Sequence, residues 1–115
     1  MANETFTIDL TSHKDEVIQA TAQQILLGLE AIGEKAEGYA KEDCPVDTGR
    51  LRASISHKSE TNELAAYIGT NVEYAQYVEY NDNASHKTGK AHFLRDAAAN
   101  HADEYRETML AALKT

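Results

Sequence analysis

The side chains best suited to chemistry in this sequence gather around one short run, Cys44-Pro45-Val46-Asp47-Thr48-Gly49-Arg50. Asp-Thr-Gly is the motif with which aspartic proteases bring two carboxylates around one shared proton, and 115 residues would suit half of a dimeric enzyme of that kind. Sharing a proton requires surroundings that disfavour full ionisation. Arg50 and Arg52 beside Asp47 favour the ionised form, and the helical patterns set out below do not suit a protease built from strands. Asp47 therefore reads as a helix cap or as an ion-pair partner of Arg50. Cys44 would need His57 or His92 as a base to become a useful thiolate, and no nucleophile elbow surrounds it, so it reads as a small core or interface residue.

Other constellations are weaker. Asp82, His86 and His92 match no zinc spacing, which leaves no metal site and no cofactor to assign. Tyr67, Tyr74, Tyr77 and Tyr80 have the ring faces on which bases stack in single-strand binders, but Glu73, Glu79 and Asp82 repel a phosphate backbone. Tyrosine is equally suited to core edges and subunit interfaces, where one end of the ring is buried and the other stays wet. Arg50, Arg52 and Arg95 read as interfacial ion-pair formers or as ordinary surface charge. His101 falls on the apolar stripe of a helix and reads as a core histidine.

The elements that must position these residues follow from periodicity. Phe6, Ile8 and Leu10 alternate with polar residues and predict a strand over residues 4–11. Ser12, with Asp15 three positions on, predicts the start of a helix. Ile18, Ala22, Ile25, Leu29, Ile32, Ala36 and Tyr39 carry that helix over residues 13–41, about 40 Å at the standard rise. Gly28, Gly33 and Gly38 inside it each cost roughly 1 kcal/mol relative to alanine, so the helix should depend on tertiary or subunit packing. Pro45 ends it. A short helix over residues 48–55 capped by Asp47, with Leu51 and Ile55 inward, precedes a hairpin of strands at 55–60 and 64–70. Tyr74, Tyr77 and Val78 repeat at helical spacing, residues 81–90 read as a loop, and residues 92–113 as a final helix with Leu94, Ala98, His101, Tyr105, Met109 and Ala112 on one side. The expected class is α+β: a small antiparallel sheet against a long N-terminal helix and a C-terminal helix, in one domain spanning residues 1–115.

Composition narrows the function. Nineteen acidic residues against eleven basic ones give a net charge of -8, which opposes the phosphate attraction behind most nucleic-acid binding. No apolar run is long enough for a membrane span, Met1 to Leu10 lacks the pattern of a secretion signal, and a single cysteine makes no internal disulfide; a soluble cytoplasmic protein is expected.

Three blocks then stand in order: Cys44-Pro45-Val46-Asp47-Thr48-Gly49-Arg50-Leu51-Arg52-Ala53-Ser54-Ile55; Ile68-Gly69-Thr70-Asn71-Val72-Glu73-Tyr74-Ala75-Gln76-Tyr77-Val78-Glu79-Tyr80; and His92-Phe93-Leu94-Arg95. Their combination resembles the neck or tail-completion family of long-tailed bacteriophages. Asn81 stands where that family usually has glycine, and both residue types tolerate the left-handed backbone region. The resemblance implies a virion component of the neck, assembled in the host cytoplasm, with no catalytic residues. It implies a ring, with six subunits, between head-closure proteins and tail-terminator or tail-tube proteins, through which DNA passes without specific binding. The motif residues it marks are Asp47, Thr48, Gly49, Arg50, Leu51, Arg52, Tyr74, Tyr77, Tyr80, Phe93, Leu94 and Arg95. A stand-alone cytoplasmic protein-binding module is the alternative; a small dimeric aspartic protease is the third reading.

Overall fold

The computed structural model describes residues 4–44, 49–71 and 92–114. Strand β1 (Glu4–Asp9) is followed by a 3-10 turn (Thr11–His13), helix α1 (Lys14–Val17), the 22-residue helix α2 (Ala22–Asp43), α3 (Arg50–Ser54), β2 (Ser56–Glu60), β3 (Ala65–Thr70), α4 (Phe93–Ala99) and α5 (Ala102–Ala112). The α+β class holds, with a three-stranded antiparallel sheet of order β1-β3-β2.

The sheet follows from its alternation. β3 is central, with Phe6 opposite Ile68 on one side and His57 opposite Ile68 on the other. The face carrying Ile8, Ala66 and Ile68 is buried against the helices, while Thr5, Thr7, Ser56 and Lys58 are exposed. The hairpin forms as expected, with Glu60 opposite Ala65 across a turn of residues 61–64. Leu64 adopts a left-handed φ of 51°, strained for a leucine, in exchange for a buried side chain and a carbonyl that accepts from the Leu10 amide at 2.9 Å.

The expected 13–41 helix is two pieces. Its cap is not at Ser12: α1 begins after His13, with no side-chain cap, and stops at Val17. Thr21 then takes an extended backbone and closes a full capping box with Gln24, its hydroxyl accepting from the Gln24 amide at 3.1 Å while its own amide donates to Gln24 Oε1 at 2.9 Å. The stripe of α2 is buried at Leu29, Ile32 and Ala36, but Ile18, which the periodicity placed inward, lies before the helix in water. The final helix also divides, at Asn100–His101: the Asn100 amide closes α4 on the Asp96 carbonyl, and His101 leaves helical geometry at φ -125° to begin α5. The break lets the buried Tyr105 hydroxyl donate back to the Ala97 carbonyl. Short helix α3 starts after Gly49, whose φ of 79° suits glycine; Gly49 is the N-cap residue in place of the expected Asp47. No helix among the described residues is long and apolar enough to cross a membrane.

Helix α2 is the hub. It packs on β2 and β3 through one side, on α4 and α5 through another, and α4 reaches across to β1 and β3.

Candidate interaction surface

Of the residues weighed for catalysis, Cys44 and His57 are occupied otherwise. Cys44 closes α2, its amide donating to the Ala40 carbonyl at 2.9 Å, and is fully buried. Burial pushes its thiol up to about 11, against the opposite pull of the Arg52 charge, so at neutral pH it is an inert thiol. His57 is not a base for it: Nδ1 faces Glu37 Oε1 at 2.9 Å and Nε2 faces Glu30 Oε2 at 3.3 Å. Tyr67 is half-buried with its hydroxyl donating to Glu63 at 2.9 Å, and that carboxylate raises the phenol above its ordinary range. Among the described residues no group of three or more His, Cys, Asp or Glu side chains is arranged to hold a metal.

The motif residues divide between core and surface. Leu51, Phe93 and Leu94 are buried, with Ile55 and Cys44, in the main apolar cluster. Arg50, Arg52 and Arg95 are exposed; the Arg95 guanidinium meets Asp96 Oδ1 at 3.2 Å. Asp47, Thr48, Tyr74, Tyr77 and Tyr80, like Asp82, His86 and the 81–90 loop, lie outside the described residues. His101 stacks flat on Tyr39, ring centroids 3.7 Å apart, which places it at the edge of the core between α2 and α5.

What periodicity missed is an apolar surface. Ile18 is 74% exposed, Leu27 51% and Leu26 42%, the first in the link before α2 and the other two in its opening turns. A scattered leucine in water needs no explanation, but two exposed leucines in the opening turns of a helix, with an exposed isoleucine shortly before it, are the usual mark of a contact surface. The sequence signal was available: Ile25-Leu26-Leu27 followed by Leu29 is wider than one helical face can bury. Around this end the chain is pinned rather than loose. Arg106 of α5 donates through Nε and Nη2 to Glu16 Oε1 of α1 at 3.2 and 3.1 Å, and Gln24 Nε2 donates to the Leu113 carbonyl at 3.3 Å. The leucines are therefore held out on a positioned helix start.

Against known proteins, a family model described as "Bacteriophage HK97-gp10, putative tail-component" matches residues 6–80. That span takes in the sheet, α2 and the first two motif blocks and stops before Phe93-Leu94-Arg95. No curated protein and no solved structure matches the chain. Since the match covers well over half of the sequence, the chain belongs to this bacteriophage tail-component family.

Proposed function

As a member of that family the chain is, we propose, a non-enzymatic structural subunit of the phage head-to-tail junction, assembling as a ring that joins head to tail around a channel for DNA. The observation that carries this reading is the display of Ile18, Leu26 and Leu27 on the anchored start of α2, which gives the subunit an apolar surface without a partner within its described residues. A closed ring needs two different surfaces that fit head to tail. The N-terminal half of α2 supplies one, and the segment carrying Tyr74, Tyr77 and Tyr80 the other. Arg50, Arg52 and Arg95, together with Asp47, Thr48 and Gly49, which precede Arg50 in the chain, add polar contacts at these joints. Leu51, Phe93 and Leu94 act indirectly, by holding α3 and α4 on the core.

Six subunits, located in the virion neck between head-closure and tail-terminator or tail-tube proteins, follow from the resemblance of the motif blocks. Assembly takes place in the host cytoplasm. The net charge of -8 suits a ring that lets DNA slide, since an acidic lining repels phosphates instead of gripping them. No cofactor, metal or catalytic side chain enters this function.

The test is a phage carrying Leu26→Asp together with Leu27→Asp. Both side chains are partly in water, so the free chain should melt close to wild type by circular dichroism. DNA-filled heads and finished tails should accumulate unjoined, with the altered chain missing from particles. Joined particles containing the doubly substituted chain at wild-type level would overturn the reading.

A further inference from the structure

We infer that His57, Glu30 and Glu37 form a pH-sensitive latch, which clamps β2 onto α2 while the imidazole carries two protons and loosens when it gives one up. The ring's two nitrogens set the condition. Nδ1 lies 2.9 Å from Glu37 Oε1 and Nε2 lies 3.3 Å from Glu30 Oε2, so a carboxylate faces each of them. A neutral imidazole has one N–H and one lone pair, and in either tautomer that lone pair would point at a carboxylate oxygen. Only the imidazolium donates to both. The ring is 17% exposed, enough shielding to make its two partners matter and enough water to let the proton leave.

The surroundings hold the carboxylates for this purpose. Glu30 and Glu37 are seven residues apart, two turns along one face of α2, and Gly33 lies between them. A Cβ at Gly33 would come within 2.4 Å of His57 Cδ2, so the absence of a side chain there is what lets the ring descend between the two acids. Glu30 grips β2 a second time, its other oxygen accepting from Ser59 Oγ at 2.7 Å. Glu37 is steadied by Lys41 Nζ at 3.1 Å. From β2 itself, Lys58 lies on the opposite sheet face and pairs with Glu60 at 2.9 Å, and across the ladder His57 meets the apolar Ile68. The four charges at the latch, two carboxylates, one imidazolium and one ammonium, sum to zero; loss of the ring proton leaves an excess negative charge between α2 and β2.

The pH window follows from the directions of the shifts. Burial works against charge on His57, but its bonds to Glu37 and Glu30 outweigh burial and hold the ring above its ordinary 6.5. For Glu37 burial pulls upward and the bonds to His57 and Lys41 prevail; for Glu30 the Ser59 hydroxyl and then His57 act together, and both acids fall below their ordinary 4.5. A histidine raised on folding contributes fully below 6.5 and loses that contribution as pH climbs through its folded value; acids lowered on folding contribute above 4.5 and lose theirs as pH drops through their folded values. The latch is therefore whole between about 4.5 and 6.5 and opens on the alkaline side through one group, His57.

The experiment is an NMR titration of the imidazole 15N and 1H signals of the full chain, with the His57 resonances assigned by their loss in His57→Gln. Expected are a midpoint above 6.5, both ring nitrogens protonated at pH 6, and a downward shift of the midpoint in Glu37→Gln. A midpoint at or below 6.5 in the wild-type chain, or an unprotonated ring nitrogen at pH 6, overturns the latch. Should Glu37→Gln fail to fold, Glu30→Gln and the wild-type titration decide; an unmoved midpoint in a folded variant also overturns it. The urea midpoint of the wild-type chain should fall between pH 6 and 9 by more than that of His57→Gln, and equal falls would likewise count against the latch.

Discussion

Helix α2 has two seams, and each is built around a glycine, but the two glycines face different kinds of neighbour. At the seam with β2, Gly33 meets the flat ring of His57, whose Cβ is itself only 3.1 Å from where an alanine methyl would sit. At the seam with α5, Gly28 meets the thioether end of Met109, with the hypothetical methyl 2.5 Å from Sδ and 2.9 Å from the terminal carbon. A ring rooted in a strand and bonded at both nitrogens cannot step aside without moving the strand. The end of a methionine can turn about three bonds. The same residue type thus marks a rigid, polar contact on one side of the helix and an adaptable, apolar one on the other, although the seam with α5 also has polar contacts farther along α2, where Tyr39 stacks on His101 and donates to Glu104, and Lys35 meets Glu104 at 3.3 Å.

The comparison is tested most severely from the apolar side. Met109→Ala empties a buried position between α5 and Gly28, and the loss of its methylenes with incomplete collapse should cost about 2–5 kcal/mol in urea unfolding. A cost below about 1 kcal/mol would mean that α5 settles onto α2 without it.

Gly33→Ala comes next. It adds one methyl against a ring that cannot retreat, for which overpacking costs about 1–3 kcal/mol, offset in part by the roughly 1 kcal/mol gained in helix propensity. A net loss of stability with displaced His57 NMR signals is expected. A neutral or stabilised chain would show that β2 rides more loosely on α2 than the two carboxylates imply.

The smallest effects separate the remaining glycines. Gly38 has open space where its Cβ would go, so Gly38→Ala should stabilise by up to about 1 kcal/mol through propensity alone. Gly28→Ala carries the same gain set against the displacement of Met109, and thermal melting should find it close to wild type. If Gly28→Ala proved as damaging as Gly33→Ala, the contrast between the two seams would disappear.

Much of this architecture was open to reading in the residues alone. Alternation at Phe6, Ile8 and Leu10, and again at Ala66 and Ile68, specifies strands because a one-residue slip would turn the whole apolar set into water. The stripe through Leu29, Ile32 and Ala36 specifies a helix for the same kind of reason, and the motif blocks pointed to the phage family that the match over residues 6–80 establishes. Continuity was not readable. An apolar stripe at helical spacing runs across Ile18 to Ile25 and across Ala98 to Tyr105 whether or not the backbone breaks between them. The breaks are set by Thr21 with Gln24, and by His101 seated on Tyr39.

What the sequence by itself determined, then, is what depends on neighbours along the chain: the period of each element, and the Glu30-Gly33-Glu37 spacing that puts two acids and a gap on one helical face. What only the tertiary structure decided is which partner arrives at each face. Nothing local to residues 28 and 33 says that one glycine will receive Met109 and the other His57, or that Leu26 and Leu27 will remain in water while Leu29 does not. Those assignments follow from the packing of α2 on the sheet and on α5. They are settled by long-range packing, because a helix has more faces than its own sequence can tell apart until other elements have taken theirs.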